Sequence, residues 1–138
     1  MKNTLFISMV ALLLAACNKN EPWDNTSSNN GNESIAITFN TPNENESFDF
    51  NETVNVEGWV IGTSHVHGYT VELINQSNQD SILYSHEVHD HGNELQFIES
   101  WTNNLSDTSD VLIRIEAFGD HEGGSSETIT RVITCNGG

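Results

Sequence analysis

The sequence predicts an all-β fold: an antiparallel, immunoglobulin-like β-sandwich of about seven strands. Three observations support this prediction. Apolar and polar residues alternate with a period of two in seven runs, these runs are rich in β-branched residues, and turn-forming segments separate them. Such runs, within about a hundred residues, are typical of a sandwich whose strands are each buried on one face. The Cys–Trp–Cys core of antibody domains is absent from the sequence, so the prediction depends on pattern and spacing.

The seven runs are bounded by residues that favour turns or polar links. The segment Thr41–Pro42–Asn43 ends the first run, and polar links at 75–80 and 102–109 separate later ones. In chain order, the predicted strands cover residues 35–39, 53–61, 68–74, 81–88, 94–101, 110–118 and 128–134. The residues that alternate on one face of the first six are Ile35, Ile37, Phe39, Val54, Val56, Val60, Tyr69, Val71, Leu73, Ile82, Tyr84, His86, Val88, Leu95, Phe97, Val111, Ile113, Ile115 and Ala117.

The N-terminus has the organisation of an export signal. A short basic start precedes the mostly apolar run from Leu5 to Leu14, which is too short to span a bilayer because a spanning helix needs about 20 residues. The run ends in Leu14-Ala15-Ala16-Cys17, which resembles the lipobox of bacterial lipoproteins. That resemblance implies removal of a signal peptide at 1–16 and lipidation of Cys17. The alternative is an ordinary secretory signal cleaved after the same alanine.

Removal of residues 1–16 sets the domain organisation and the charge of the mature chain. Residues 17–34 form a polar, Asn- and Ser-rich linker, and residues 35–138 form the β-sandwich domain. Three basic residues then face twenty acidic ones, a net charge of 3 − 20 = −17. Nucleic acid and anionic lipid surfaces are therefore poor partners, whereas cations are favoured. Lipidation would also leave Cys135 as the one thiol, so we expect no intramolecular disulfide.

All six histidines fall within residues 65–121, in three clusters flanked by acidic or small polar residues. Imidazole is the commonest protein ligand for late divalent metals. If successive strands run up and down, the connections at 62–67, 88–93 and 119–126 lie at the same end of the sandwich. The sequence therefore predicts that the three clusters converge; their members are His65 and His67, then His86, His89 and His91, then His121.

Strand register adds detail to this metal-site hypothesis. Pairing Val71 with Tyr84 and Leu73 with Ile82 keeps apolar residues on a shared face, as the pleat of a sheet requires. In that register His67 and His86 are diagonal neighbours, with Cα atoms about 7–8 Å apart. The expected ligands are His67, His86 and His121, completed by His65, His89 or His91, and the carboxylates that could orient their imidazoles are Asp90, Asp120 and Glu122.

Zinc is the first expectation for the metal, because tetrahedral nitrogen and oxygen sites suit it. Copper(II) and nickel(II) are alternatives. Copper(I) is disfavoured because both methionines, Met1 and Met9, leave with the signal peptide. Calcium would use oxygen ligands and would leave the histidines unexplained. The competing interpretation of the histidines is structural: half-buried side chains at the rim of a sandwich and a solvated turn.

The segment His65-Val66-His67-Gly68-Tyr69, followed by a strand and the His86–His91 cluster, resembles a family of uncharacterised bacterial lipoproteins with an immunoglobulin-like domain. The resemblance covers most of residues 35–135. It implies the fold and a location in the cell envelope, lipid-anchored at the outer membrane on its periplasmic or surface face. It implies no activity.

The sequence favours a binding module that captures, buffers or delivers a metal ion. One alternative is an adhesion or glycan-binding module that uses Trp59, Trp101 and Tyr69, and another is an accessory subunit of an envelope complex. A zinc hydrolase with Glu122 as base is a third. We expect no enzymatic activity, because no nucleophile–base arrangement is visible and the domain is small for a substrate cleft.

Overall fold

The computed structural model describes residues 34–119 and 125–138. Their regular structure is entirely β, which confirms the predicted fold class. Across these two ranges, no helix is long and apolar enough to cross a membrane. The strands are β1 (Ile35–Thr41), β2 (Ser47–Phe48), β3 (Thr53–Val66), β4 (Gly68–Asn75), β5 (Ser81–Val88), β6 (Gly92–Thr102), β7 (Ser109–Phe118) and β8 (Ser126–Cys135).

The strands form two sheets that pack as an immunoglobulin-like sandwich. One sheet has the order β1-β3-β6, and the other has the order β2-β8-β7-β4-β5. All pairs are antiparallel except β2 with β8, which pair in parallel through two residue pairs. Each of the seven runs predicted from alternation is a strand. The sequence did not indicate β2, because two residues are too short to show a period.

The core lies between the sheets, where alternate residues of facing strands point inward. In β7 every second residue from Val111 to Ala117 is fully buried, and Val54, Val56 and Val60 of β3 are buried to the same degree. Phe97 is the largest of the fully buried side chains. Burial of each such valine, isoleucine or phenylalanine contributes roughly 1.5–3 kcal/mol relative to exposure. The apolar residues that alternate in the sequence of these strands are thus the ones that form this core.

Two strand connections pass from one sheet to the other at the same end of the molecule. β3 continues five residues beyond its predicted end, and only His67 separates it from β4 in the other sheet. β5 reaches β6, again across the sandwich, through the three residues 89–91. We call this end, with the His67 and 89–91 connections, the crossover end. β1 also begins there, because Ser34 donates its backbone N–H to Thr63 Oγ1 (3.0 Å).

The pairing of β4 with β5 differs from the predicted register. Val71 pairs with His86 and Leu73 with Tyr84, a shift of two residues along β5. One residue of this shift arises because Ile82 pairs with Ile74 and not with Leu73, and a register irregularity between Leu73 and Ile74 adds the second. The extra residue, Leu83, packs against the core, whereas Ile82 is 59% exposed. An irregularity of this kind interrupts the alternation of faces, so Ile82 does not share a face with Tyr84.

The opposite end is organised around a buried amide. Asn103 is fully buried, and its Nδ2 donates to the backbone oxygens of Phe48, Asp49 and Asn136. Its Oδ1 accepts from the backbone N–H of Leu105 (3.2 Å). These bonds satisfy a polar side chain that would otherwise be costly to bury. They also explain why a strand as short as β2 is held beside β8.

Candidate metal centre

The crossover end brings three histidines together. His65 is the penultimate residue of β3, His67 occupies the step to β4, and His91 directly precedes β6. The pairing of Val66 with Gly92 brings the end of β3 beside the start of β6. A backbone bond from His67 N–H to the Phe118 carbonyl (2.7 Å) fixes the first connection to β7. The second is shaped by the Asp90 carboxylate, which accepts from the His91 backbone N–H (2.7 Å).

The sharp step from β3 to β4 requires glycine at position 68. Gly68 has a φ of 142°, a region that side-chain-bearing residues rarely adopt. A Cβ atom there would lie 2.1 Å from the carbonyl oxygen of Val88. Glycine therefore allows the start of β4, directly after His67, to approach the end of β5.

The three imidazoles form a compact group. The ring centroids of His65 and His67 are 5.2 Å apart, those of His67 and His91 are 4.7 Å apart, and those of His65 and His91 are 5.5 Å apart. One ligand nitrogen from each ring lies within 4.8 Å of the others, so the group could hold a metal ion. His65 and His91 are exposed, whereas His67 is half-buried and its Nδ1 is shielded from solvent. We call His65, His67 and His91 the histidine triad.

The donor set and spacing suit a late divalent metal. Tetrahedral zinc with Zn–N bonds of about 2.0–2.1 Å places its ligand nitrogens about 3.3 Å apart. The nitrogens of the triad already lie within 4.8 Å, so small rotations of the two exposed rings would bring them onto one ion. Copper(II) and nickel(II) accept the same imidazole donors. The three ligands come from two separate stretches of the chain, 65–67 and 91, so no local spacing motif in the sequence indicates all three.

His86 lies elsewhere, in a polar contact that joins the two sheets. It faces inward beside Val71 but is half-exposed, and its Nδ1 is 2.8 Å from Glu99 Oε1. The Tyr84 hydroxyl donates to the other carboxylate oxygen, Glu99 Oε2 (2.5 Å). Burial and this bond to Glu99 raise the pKa of Tyr84 to about 12. We call Tyr84, His86 and Glu99 the Glu99 cluster.

The prediction that His67 and His86 are diagonal neighbours is therefore wrong. His86 lies two positions from its predicted place, opposite Val71 and away from the step that carries His67, and the irregularity beside Leu73 accounts for one of those positions. His89 also turns to another partner, with its Nε2 2.8 Å from Glu87 Oε1, and both side chains are exposed.

Several of the predicted residues lie outside the described residues: His121, Asp120 and Glu122 of the β7–β8 connection, and Cys17 of the N-terminal segment. The ends of that connection do belong to the crossover end. Gly119 donates its N–H to the Ser125 carbonyl (2.8 Å), next to the pairing of Gly68 with Phe118. The prediction that the three connections meet at one end is thus confirmed for the strands that carry them.

The aromatic residues considered for sugar stacking differ in accessibility. Tyr69 is buried, and its hydroxyl donates to the Gln96 carbonyl (3.2 Å). Burial, followed by the charges of Glu99 and Asp90, raises the pKa of Tyr69. Trp101 packs against the core. Trp59 is half-buried on the outer face of the three-stranded sheet, between Thr38 and Gln96, and is the one of these three that faces outward.

The basic residues of the described chain are engaged within the domain. Arg114 is paired with Glu72, which lies opposite it in the β4–β7 ladder. Arg131 donates to the Pro42 carbonyl and lies over the Phe39 ring, 4.5 Å from its centroid. Cation–π and ion-pair contacts of this kind hold guanidinium groups against the domain. With 20 acidic against 4 basic residues, the chain as a whole favours cations over anions.

Sequence reasoning did not single out Glu99, although a signal was present. Glu99 continues the inward-facing series of Leu95 and Phe97 in β6, so a carboxylate stands where an apolar side chain is expected. An acidic residue at an inward position indicates a buried polar partner, because an unpaired carboxylate is costly to bury.

No protein-family model matches the chain, and no curated protein matches it.

Proposed function

We propose that this protein is a metal-binding module of the cell envelope, which captures a late divalent metal through the histidine triad and buffers or delivers it. Zinc is the first candidate, with copper(II) and nickel(II) as alternatives. The observation that carries the proposal is the convergence of three imidazoles, each with a ligand nitrogen within 4.8 Å of the other two. Three nitrogen donors at this spacing match the ligand count of a tetrahedral site that retains one further position.

Accessibility and charge support capture as opposed to a closed structural site. Two of the three imidazoles are exposed, so an ion could reach them without unfolding the domain. A net charge of 3 − 20 = −17 for residues 17–138 would raise the local concentration of cations. Coordination requires neutral imidazoles, so metal affinity is expected to fall as histidine protonates in acid.

The test compares two histidine variants of residues 17–138, carrying Cys17→Ser and no histidine tag. Elemental analysis and calorimetric titration with zinc, copper(II) and nickel(II) give the stoichiometry and Kd. We expect His65→Ala/His67→Ala/His91→Ala to weaken metal binding by more than about 100-fold. Loss of a group that only orients a metal ligand already costs about 10–100-fold.

The matched control is His86→Ala/His89→Ala, which also removes imidazoles but leaves the triad intact. We expect its stoichiometry to equal that of the parent. Retention of tight binding by the triad variant would disprove the site. His121→Ala tests separately the sequence-based prediction that His121 is a ligand.

Attachment to the membrane through a lipid on Cys17 is a further part of the proposal, supported by the sequence Leu14-Ala15-Ala16-Cys17. We expect the full chain to fractionate with membranes when produced in bacteria, and Cys17→Ser to prevent lipidation. Incorporation of a labelled fatty acid measures this directly. Equal labelling of the parent and the serine variant would contradict the proposal.

An adhesion or glycan-binding role is the second candidate, supported by the outer face of the three-stranded sheet. Trp59 lies there, and on the same face Ile61 and Ile98 are 43% and 62% exposed. Exposed apolar residues around an aromatic ring can mark an interaction surface. Glycan binding that persists in chelator and disappears in Trp59→Ala would favour this candidate over metal capture.

A further inference from the structure

We infer that a metal ion held by the histidine triad keeps a solvent-facing coordination position and binds there a neutral nitrogen donor of the imidazole class, such as a histidine side chain of a partner protein. This inference rests on the proposed function, because it concerns the ion that the triad would bind. It goes further by naming the kind of group through which the ion is received or passed on.

The first argument is the one-sided arrangement of the ligands. His67 lies deepest, with its Nδ1 shielded from solvent, and His65 and His91 are exposed beside it. The rings of His65 and His91 stand nearly parallel, with an interplanar angle of 14° and centroids 5.5 Å apart. An ion bound by all three would sit at the surface, with protein ligands on its inner side. Its remaining position would point toward solvent.

The second argument is that the described chain supplies no fourth ligand to this group. Among residues 34–119 and 125–138, neither a carboxylate nor a thiol joins the three histidines within 4.8 Å. In the 89–91 connection and the strand before it, the Asp90 carboxylate accepts from the backbone N–H of His91, and Glu87 pairs with His89. A tetrahedral ion held by three imidazoles leaves one position for water or another donor.

The third argument concerns the class of that donor. Imidazole suits zinc, copper(II) and nickel(II) alike, so it does not depend on which of them is bound. Carboxylate and thiolate donors carry negative charge, and residues 17–138, with a net charge of 3 − 20 = −17, repel them as they approach. A neutral imidazole does not meet this barrier. A partner that presents histidine could therefore share the ion with the triad, in a complex that permits transfer without release of free metal.

The experiment uses cobalt(II), whose visible absorption reports coordination, as a stand-in for zinc in residues 17–138 carrying Cys17→Ser. The cobalt-loaded protein is titrated with free imidazole, and elemental analysis after gel filtration verifies that cobalt stays bound. We expect a saturable spectral change with one imidazole per cobalt. His86→Ala/His89→Ala should give the same titration, because neither residue belongs to the triad.

Each other outcome is decisive. Cobalt that binds with a spectrum insensitive to imidazole would overturn the inference while leaving the proposed function intact. A response that appears only in His121→Ala would also overturn it, because the position would then be occupied by a ligand of the same chain. Failure of the protein to bind any of cobalt(II), zinc, copper(II) and nickel(II) would overturn the proposed function, and the inference with it.

Discussion

Glu99 shows how a single inward-facing carboxylate can join two sheets. It belongs to β6 of the three-stranded sheet, and both of its oxygens are engaged by residues of β5 in the other sheet, Tyr84 and His86. Its side chain is only 12% exposed. Burial of a carboxylate is costly unless its oxygens accept hydrogen bonds, and hydrogen bonds to a charged acceptor are the stronger kind. Polar contacts thus join β5 and β6, which are edge strands of the two sheets.

This arrangement predicts the alkaline behaviour of Tyr84. Its pKa of about 12 in the folded protein lies above its ordinary value of 10.0, chiefly because of burial and then because of Glu99. The folded state holds the proton more tightly than the unfolded state, so stability is fully present below pH 10 and falls as the pH rises toward 12. We expect Glu99→Gln to lower the pKa of Tyr84 partway toward 10, since burial remains.

Absorbance of the tyrosinate ion measures this pKa. The chain has two tyrosines, so Tyr69→Phe leaves Tyr84 as the only group that contributes. Glu94→Gln is the matched control, because Glu94 lies on the same strand but is exposed. An unchanged titration midpoint in Glu99→Gln would show that the carboxylate does not act on Tyr84.

The step between β3 and β4 depends on Gly68, so the addition of one methyl group at this position should destabilise the fold. We expect Gly68→Ala to lower the free energy of unfolding by about 1–3 kcal/mol from backbone strain alone, with the clash against the Val88 carbonyl adding to it. Urea denaturation followed by tryptophan fluorescence measures the change.

Gly92→Ala is the control for that substitution. Gly92 starts β6 at the same end of the molecule, but a Cβ atom there would approach its nearest neighbour, Leu95, to only 3.4 Å. This is an ordinary van der Waals contact, so we expect little loss of stability. Equal destabilisation by the two substitutions would contradict the special role of Gly68.

Strand existence could be predicted from the sequence, whereas side-chain partners across strands could not. Alternation identified all seven longer strands, because a buried face imposes a period of two on each. The irregularity beside Leu73 leaves no such mark, since Ile82, Leu83 and Tyr84 are all compatible with an inward position. Register therefore had to be assumed continuous, which accounts for one of the two residues by which His86 was misplaced. The other residue comes from the assumed pairing of Ile82 with Leu73, since Ile82 pairs with Ile74.

For the candidate site, the sequence predicted the end of the molecule at which it lies but not which imidazoles meet there. Up-and-down strand order correctly placed the connections that carry His65, His67 and His91 at one end. Which imidazoles meet there depends on the continuation of β3 to Val66 and on its pairing with Gly92. That pairing joins residues 26 positions apart (92 − 66 = 26), so no local spacing in the sequence reports it.

At the scale of the whole molecule, the triad links metal binding to stability. Its ligands come from the end of β3, the step to β4 and the residue before β6, so the grouping exists only in the folded state. Free metal at 100 times Kd should then add about 2.7 kcal/mol to the free energy of unfolding. For a domain of this size, that corresponds to a rise in Tm of roughly 10 °C or more.

Differential scanning calorimetry across a series of zinc concentrations tests this link. We expect Tm to rise with the logarithm of free zinc in the parent and to stay constant in His65→Ala/His67→Ala/His91→Ala. An equal rise in both proteins would indicate binding to the acidic surface instead of the triad.

The direction in which the chain enters and leaves the domain has a mechanical consequence. β1 begins at the crossover end, beside Thr63, and β8 runs toward the opposite end, where Asn136 is bonded to Asn103. A force that pulls Ser34 and Asn136 apart would act along β1 and β8, parallel to the strands. The ladders of β1 with β3 and of β8 with β7 would then be sheared, with their hydrogen bonds loaded together and not opened one after another. A domain whose terminal strands are loaded in shear would unfold only slowly under tension.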